Sequence, residues 1–194
     1  IGQFIHSMRL NVNIAYFVLN NGCYGLTKGQ NSATADKEYG TRKYPASHLE
    51  SMDLAELAII SGATFVARGY AGNKKQLAEL IKAAIEHKGF AFIDIISPCV
   101  RFNNDKDSTK SYPYMKSHVE PVEDVATDNK LQALALLQQF AEQDKIPTGI
   151  FYVNNNVIDM HEMFNTADIN LRELKEDKLC PRNSLLKDVN NKAR

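Results

Sequence analysis

The 194-residue sequence predicts an α/β fold: a parallel sheet with helices on both faces, followed by an irregular C-terminal extension. Three observations carry this. Between Ala63 and Ser97, "ATFVARGY", "NKKQLAELIKAAIEHKG" and "FAFIDIIS" run apolar strand, amphipathic helix, apolar strand. That is one βαβ unit, and a helical crossover makes its two strands parallel. Upstream, "NIAYFVL" is a nearly continuous apolar run stopped by Asn20 and Asn21, the pattern of a strand buried on both faces. Downstream, the helical "KLQALALLQQFAEQDK" leads into "IPTGIFYVN", a last strand or extended segment.

The elements follow in order. "IGQFIHSMRL" has a helical rhythm at Ile1, Ile5 and Met8 and reads as though the chain begins inside a helix, as a processed or partial chain would. Gln30 to Ser47 is polar and turn-rich, hence a loop. "MDLAELAIISG" is a short helix with Asp53 near its start and Gly62 just past its end. In the next helix Leu77, Leu80, Ile81, Ala84 and Ile85 follow the i, i+3, i+4 rule, with Gly89 as the stop. Pro98 closes the strand after it. From Arg101 to Asn129 the chain is polar, with two prolines and no sustained period. Asp128 and Asn129 are candidate N-caps for the last helix, and the tail from Asn154 is charged and weakly periodic.

Composition excludes several functions. Lys plus Arg equals Asp plus Glu, 23 each, so no global basic footprint for nucleic acid or a membrane surface exists. No apolar stretch approaches the roughly 20 residues of a spanning helix. Three cysteines at unrelated spacings form no disulfide framework, which makes a reducing cytoplasm the expected location. The five histidines, His6, His48, His87, His118 and His161, form no HxxxH or HExxH pair, so zinc is not expected. His87, in the last turn of a helix, reads as a dipole-compensating residue. There is no nucleophile elbow.

The chemistry concentrates in "NNGCYGLTKGQ", Asn20 to Gln30. In an open α/β sheet, ligands sit beyond the C-terminal strand edges, and this loop follows a strand directly. Its glycines allow close backbone approach, yet the spacing is neither a P-loop nor a Rossmann fingerprint. An Asn amide oxygen and a nearby backbone carbonyl are hard ligands suited to Mg²⁺, which also recruits a carboxylate, water and substrate phosphates. The same residues also suit a tight turn.

This stretch closely resembles the thiamine-diphosphate site of the β subunits of 2-oxoacid:ferredoxin oxidoreductases, whose signature is a strand, an Asn or Asp followed by Asn, two residues, then "YGLTKGQ". The resemblance continues through "ATFVAR", "AAIEHKGFAFIDIISPCVRFN" and "IPTGIFY". Gln3 and Leu10 depart from the His and Arg common at those places. The resemblance implies a thiamine-diphosphate-binding fold, with residues 1–100 as the C-terminal part of that domain and 101–194 as a family-specific extension. It implies cofactor binding by Asn20, Asn21, Cys23, Tyr24, Gly25, Leu26 and Thr27, with Mg²⁺ taking the Asn21 amide oxygen and the Cys23 backbone carbonyl. The aspartate of a "GDG" motif would complete the metal site from a position before Ile1.

Further roles come from the same resemblance. Lys28, otherwise a solvated lysine, would meet the carboxylate of a 2-oxoacid, and Leu26 would floor the reacting ring. Cys99 of "SPCV", otherwise a small core residue, would be the fourth thiolate of a 4Fe–4S cluster, since one cysteine alone holds none. Cys180 reads as a structural or exposed thiol. The implied reaction is oxidative decarboxylation of a 2-oxoacid, 2-oxoglutarate favoured, with the acyl group passing to coenzyme A and electrons to ferredoxin. An α subunit would complete the site. Two alternatives stay open: a non-oxidative thiamine-diphosphate decarboxylase or synthase, and a non-catalytic assembly module.

Overall fold

The computed structural model describes residues 2–37, 48–103, 108 and 110–164. Residues 1–160 form one compact unit and 161–194 a second, of which only the first four residues are described. The first unit is built on a five-stranded sheet in the order β1-β5-β4-β7-β6. These strands are β1 (Ile14–Asn20), β4 (Phe65–Tyr70), β5 (Phe90–Ile96), β6 (Val119–Pro121) and β7 (Ile146–Val153). β1, β5 and β4 are mutually parallel, as expected, whereas β7 joins β4 antiparallel and carries β6 parallel to itself. The sheet is therefore mostly, not wholly, parallel.

Helices cover both faces. On one, α1 (Gly2–Arg9), α2 (Leu54–Ser61) and α5 (Lys130–Glu142) bring Met8, Ile59 and Leu137 onto Phe90, Phe92 and Phe151. On the other, α3 (Lys74–Glu86) lays Leu80 and Ala84 against Ala91, Ile93 and Ile95. The odd–even split along β5 is the two-residue strand period, and both sets are apolar because β5 is covered on both sides. The caps follow the sequence: Asp53 accepts the backbone N–H groups of Ala55 and Glu56, and Asn129 those of Leu131 and Gln132. Gly62 ends α2 in the left-handed region.

Four expectations change. The run "NIAYFVL" does form a strand, but β1 is the sheet edge, not a doubly buried strand. Among the described residues it pairs only with β5, so Ile14, Tyr16 and Phe17 remain more than a third exposed and Leu19 is 70 % exposed. α3 ends at His87, not Gly89. Gly89, at φ 119°, instead opens β5 where an added Cβ would stand 2.5 Å from Asn11 Oδ1. His87 does not offset a helix dipole, because burial lowers its pKa and favours the neutral ring, whose Nε2 lies 2.8 Å from Thr64 Oγ1. Ile85, assigned to the apolar face, is 65 % exposed.

The polar stretch after Arg101 holds α4 (Tyr112–His118) and β6. Ser111 caps α4 and Pro113 lies in its first turn, a start signal present in "SYP". Seven residues are too few to establish a periodicity. Residues 38–47 of the expected loop, Cys180 and the tail beyond Phe164 lie outside the described residues.

Candidate functional site at the carboxyl edge of the sheet

Asn20 to Gln30 leaves the C-terminal end of β1, where the sequence placed it. It is more ordered than a plain loop. β2 (Cys23–Tyr24) and β3 (Gln30–Asn31) pair as a small antiparallel hairpin, with Gly29 N–H donating to the Tyr24 carbonyl at 2.8 Å. Lys28 sits at the hairpin tip with φ 75°, a conformation unusual for a non-glycine residue. The tip faces outward: Leu26 is 98 % exposed, and Tyr24, Gly25, Thr27 and Lys28 are exposed with it.

The two asparagines do different work. Asn20 is buried and committed to the protein: its Nδ2 donates to Asp94 Oδ1 at 3.1 Å and its Oδ1 accepts from Thr34 Oγ1 at 2.7 Å. Asn21 is half-buried, and its Oδ1 accepts the Cys23 N–H at 3.1 Å, which leaves one lone pair for another partner. Its backbone carbonyl accepts from Asn103 Nδ2 at 2.9 Å. Asn103 follows β5, so this bond joins the glycine-rich loop to the turn that carries Cys99. Gly22 permits the approach: at φ 70°, a Cβ there would lie 2.8 Å from Asn103 Nδ2.

A charged network that sequence reasoning missed lies beneath the loop. Arg68 on β4 donates through Nε to Asp94 on β5 at 3.1 Å, and through a terminal nitrogen to Asp53 at 2.6 Å. Burial opposes ionisation of Asp53, but Arg68 and the α2 N–H groups outweigh it and hold the carboxyl below its ordinary value. Burial dominates at Asp94 and raises its pKa despite Arg68. Arg68 is held firmly charged by the two carboxylates against its own burial. The signal was available, since "FVARGY" and "FAFIDII" each place one charge in an apolar strand, and buried charges require partners. The network borders a cavity of about 560 Å³ that also reaches Thr34, Lys110 and Tyr114.

The cysteines meet here too. The buried Cys23 lies beside Cys99, which is half-buried. Burial and the Cys99 neighbour push the Cys23 pKa up to about 11. Burial also opposes a Cys99 thiolate, but the N–H groups of Phe102, Arg101 and Asn103 and the Cys23 thiol outweigh it, so its pKa is lowered.

The donor set suits the implied groups in part. Asn21 and the Cys23 carbonyl are hard oxygens of the kind Mg²⁺ takes, and the open space around Gly25 admits a ligand. Among the described residues no three His, Cys, Asp or Glu side chains cluster closely enough to hold a metal. These donors fit part of a metal site and do not complete one. Likewise Cys99 fits as one cluster thiolate, in an environment that favours the ionised sulfur, and not as a whole ligand set. No helix among the described residues is long and apolar enough to cross a membrane.

Comparisons with known proteins agree with this geometry. The family model "Thiamine pyrophosphate enzyme, C-terminal TPP binding domain" matches residues 1–95. The family model for the C terminus of the pyruvate ferredoxin oxidoreductase β chain matches residues 99–168. The 2-oxoacid:ferredoxin oxidoreductase subunit beta of Saccharolobus solfataricus is 41 % identical over 81 % of this chain and 54 % of its own length. The 2-oxoglutarate synthase subunit KorB of Methanocaldococcus jannaschii is 33 % identical over 74 % and 56 %. A solved structure of the 2-oxoglutarate:ferredoxin oxidoreductase from Magnetococcus marinus, with 2-oxoglutarate, coenzyme A and succinyl-CoA bound, superposes with a TM-score of 0.73. It is 30 % identical and covers 94 % of this chain and 62 % of that one. The chain thus spans about half the length of the curated relatives it matches. Two matched segments in the same order, on a shared fold, make this chain a member of the 2-oxoacid:ferredoxin oxidoreductase β-subunit family.

Proposed function

We propose that this chain is the part of a β subunit that holds thiamine diphosphate for oxidative decarboxylation of a 2-oxoacid, 2-oxoglutarate favoured, to an acyl-CoA and carbon dioxide. Residues 1–100 serve as the cofactor-binding portion and 101–194 as the family's extension, a division that the two adjacent family matches support. The observation that carries the reading is the Asn20–Gln30 hairpin, rising from the carboxyl end of a parallel strand with its family-type signature "YGLTKGQ" directed outward.

Thiamine diphosphate, when bound, supplies the nucleophilic carbon and the electron sink. The chain's residues bind and orient. The Asn21 amide oxygen and the Cys23 carbonyl contribute to Mg²⁺, while Asn20 stays with Asp94 and Thr34 and keeps the loop root rigid. Tyr24, Gly25 and Thr27 line the cofactor, and Leu26 shields the reacting ring from water. Lys28 attracts the oxoacid carboxylate. Cys99 would supply one thiolate to a 4Fe–4S cluster, whose chemistry is one-electron transfer. The exposed tip is covered by an α subunit, which is consistent with a leucine that is 98 % exposed. The enzyme works in the cytoplasm, where these thiols stay reduced.

The test uses the assembled enzyme and follows 2-oxoglutarate- and coenzyme A-dependent ferredoxin reduction. Asn21→Ala is expected to weaken Mg²⁺–thiamine diphosphate binding at least tenfold by calorimetric titration, because a first ligand oxygen is lost. Unchanged cofactor affinity, or no activity with any 2-oxoacid in the wild type, refutes the reading.

A further inference from the structure

Asn103, in the turn after β5, is buried with both polar side-chain atoms engaged. Its Nδ2 donates to the Asn21 carbonyl at 2.9 Å, and its Oδ1 accepts the hydroxyl of the fully buried Ser108. The Asn21 carbonyl can only accept, so the Asn103 amide must turn its nitrogen to it and its oxygen to Ser108. Ser108 Oγ in turn accepts the Lys110 N–H at 3.1 Å, and the Asn103 N–H donates to the Cys99 carbonyl at 3.1 Å. The side chain is therefore held in one orientation from both ends.

What it grips is a flexible joint. Gly22, at φ 70°, stands between Asn21 and Cys23, and glycine has the widest backbone freedom of any residue. Three bonds among the described residues restrain this joint. They are Asn103 on the Asn21 carbonyl, the Ser32 N–H on the Gly22 carbonyl at 3.1 Å, and the Cys23 N–H on Asn21 Oδ1 at 3.1 Å. The last two join residues 21–32 to one another and move with the hairpin. Of the three, Asn103 alone reaches the end of another strand, so it sets where the hairpin root stands on the sheet. The neighbouring Phe102 ring packs over Gly29, where an added Cβ would stand 3.0 Å from it.

We propose that Asn103 is a positioning residue: through the Asn21 carbonyl and the Gly22 joint it fixes the Asn21 amide oxygen where Mg²⁺–diphosphate binding needs it. The inference rests on the assignment of that oxygen to Mg²⁺ made above. Asn103 is no ligand itself, because its amide is already spent on Asn21 and Ser108. Its effect is conformational. Mg²⁺ demands near-ideal octahedral geometry, whereas Ca²⁺ accepts a flexible oxygen shell. A loosened Asn21 therefore penalises Mg²⁺ more than Ca²⁺, while a general weakening of the chain penalises both alike.

The assembled enzyme, stripped of Mg²⁺ and cofactor, is titrated calorimetrically with Mg²⁺, and separately with Ca²⁺, at saturating thiamine diphosphate. Asn103→Ala is expected to weaken Mg²⁺ binding about tenfold, the lower end for a residue that orients a ligand. Ca²⁺ binding should weaken by a distinctly smaller factor. Adding Asn103→Ala to Asn21→Ala should cost less than Asn103→Ala alone, because the oxygen to be positioned is already gone. Ser108→Ala removes only the partner that orients Asn103. It should shift the ratio of Mg²⁺ to Ca²⁺ affinity in the same direction by a smaller factor. Should Asn103→Ala fail to assemble, an unchanged ratio in Ser108→Ala overturns the proposal. Unchanged Mg²⁺ affinity in Asn103→Ala, equal losses for the two ions, or the same loss with and without Asn21 overturns it too, even where Asn21→Ala alone weakens binding. An Asn21→Ala enzyme with wild-type affinity instead overturns the cofactor reading, and this proposal with it, so the two failures are distinguishable.

Discussion

Arg68→Met removes the only described cation in contact with both Asp94 and Asp53 while keeping most of the side-chain volume. Breaking a buried ion pair by deleting one partner costs about 3–5 kcal/mol, because a charge is left buried without compensation. The Asp94 side chain is 3 % exposed and carries that cost in full. The Asp53 side chain is 33 % exposed, so solvent screens its share. We therefore expect a loss near the lower end, about 3 kcal/mol at pH 7, or roughly 6–12 °C in melting temperature for a chain of this size. The pH dependence follows from the two shifts. Asp53, with a lowered folded pKa, contributes stability above its unfolded pKa that is lost as pH falls through the folded one. Asp94, with a raised folded pKa, costs stability as pH rises through that value, and more so without Arg68. Both effects make the gap between wild type and variant widest near neutrality and smaller in acid. Urea unfolding followed by circular dichroism at several pH values measures it, and Asp94→Leu added to Arg68→Met should recover part of the loss. A loss under about 1 kcal/mol at pH 7, or a gap that grows in acid, would refute the reasoning.

Two further predictions concern single residues. In the assembled enzyme Lys28→Ala should raise the KM for the 2-oxoacid severalfold while leaving that for coenzyme A nearly unchanged; equal changes in both would make the lysine merely structural. Burial holds the His87 pKa below its ordinary 6.5, so the unfolded chain takes the proton first and stability falls as pH drops from about 6.5 through the folded value. His87→Gln should flatten that part of the urea-midpoint profile, and an unchanged slope in the variant argues against a neutral, buried imidazole.

The local features of the fold were legible because they depend on neighbours in sequence. Helices α2, α3 and α5, their caps at Asp53 and Asn129, and the central strands β4 and β5 follow from apolar period and turn chemistry alone. The glycine-rich loop was legible as a motif, and its position at a carboxyl strand edge followed from the strand before it. Short elements were not. β2, β3 and β6 have two or three residues each and exist only because a partner strand lies beside them.

What the sequence by itself determined is the α/β class, the family signature and the order of the longer strands and helices along the chain, since each is written in residues close together. Only the tertiary structure decided which residues of the site are free and which are spent. Asn20 and Asn21 are chemically identical neighbours, yet the first is buried with both its amide nitrogen and its amide oxygen engaged by Asp94 and Thr34, while the second is half-buried and keeps a lone pair. Exposure of β1 depends on what lies beside it, not on its composition, and an apolar run reads the same at an edge as at a centre. The Arg68 network and the Cys23–Cys99 pair bring together strands and loops distant in the chain. Their members meet because parallel pairing of β1, β5 and β4 brings three carboxyl ends to one edge, a register set by the packed core as a whole and by no local pattern.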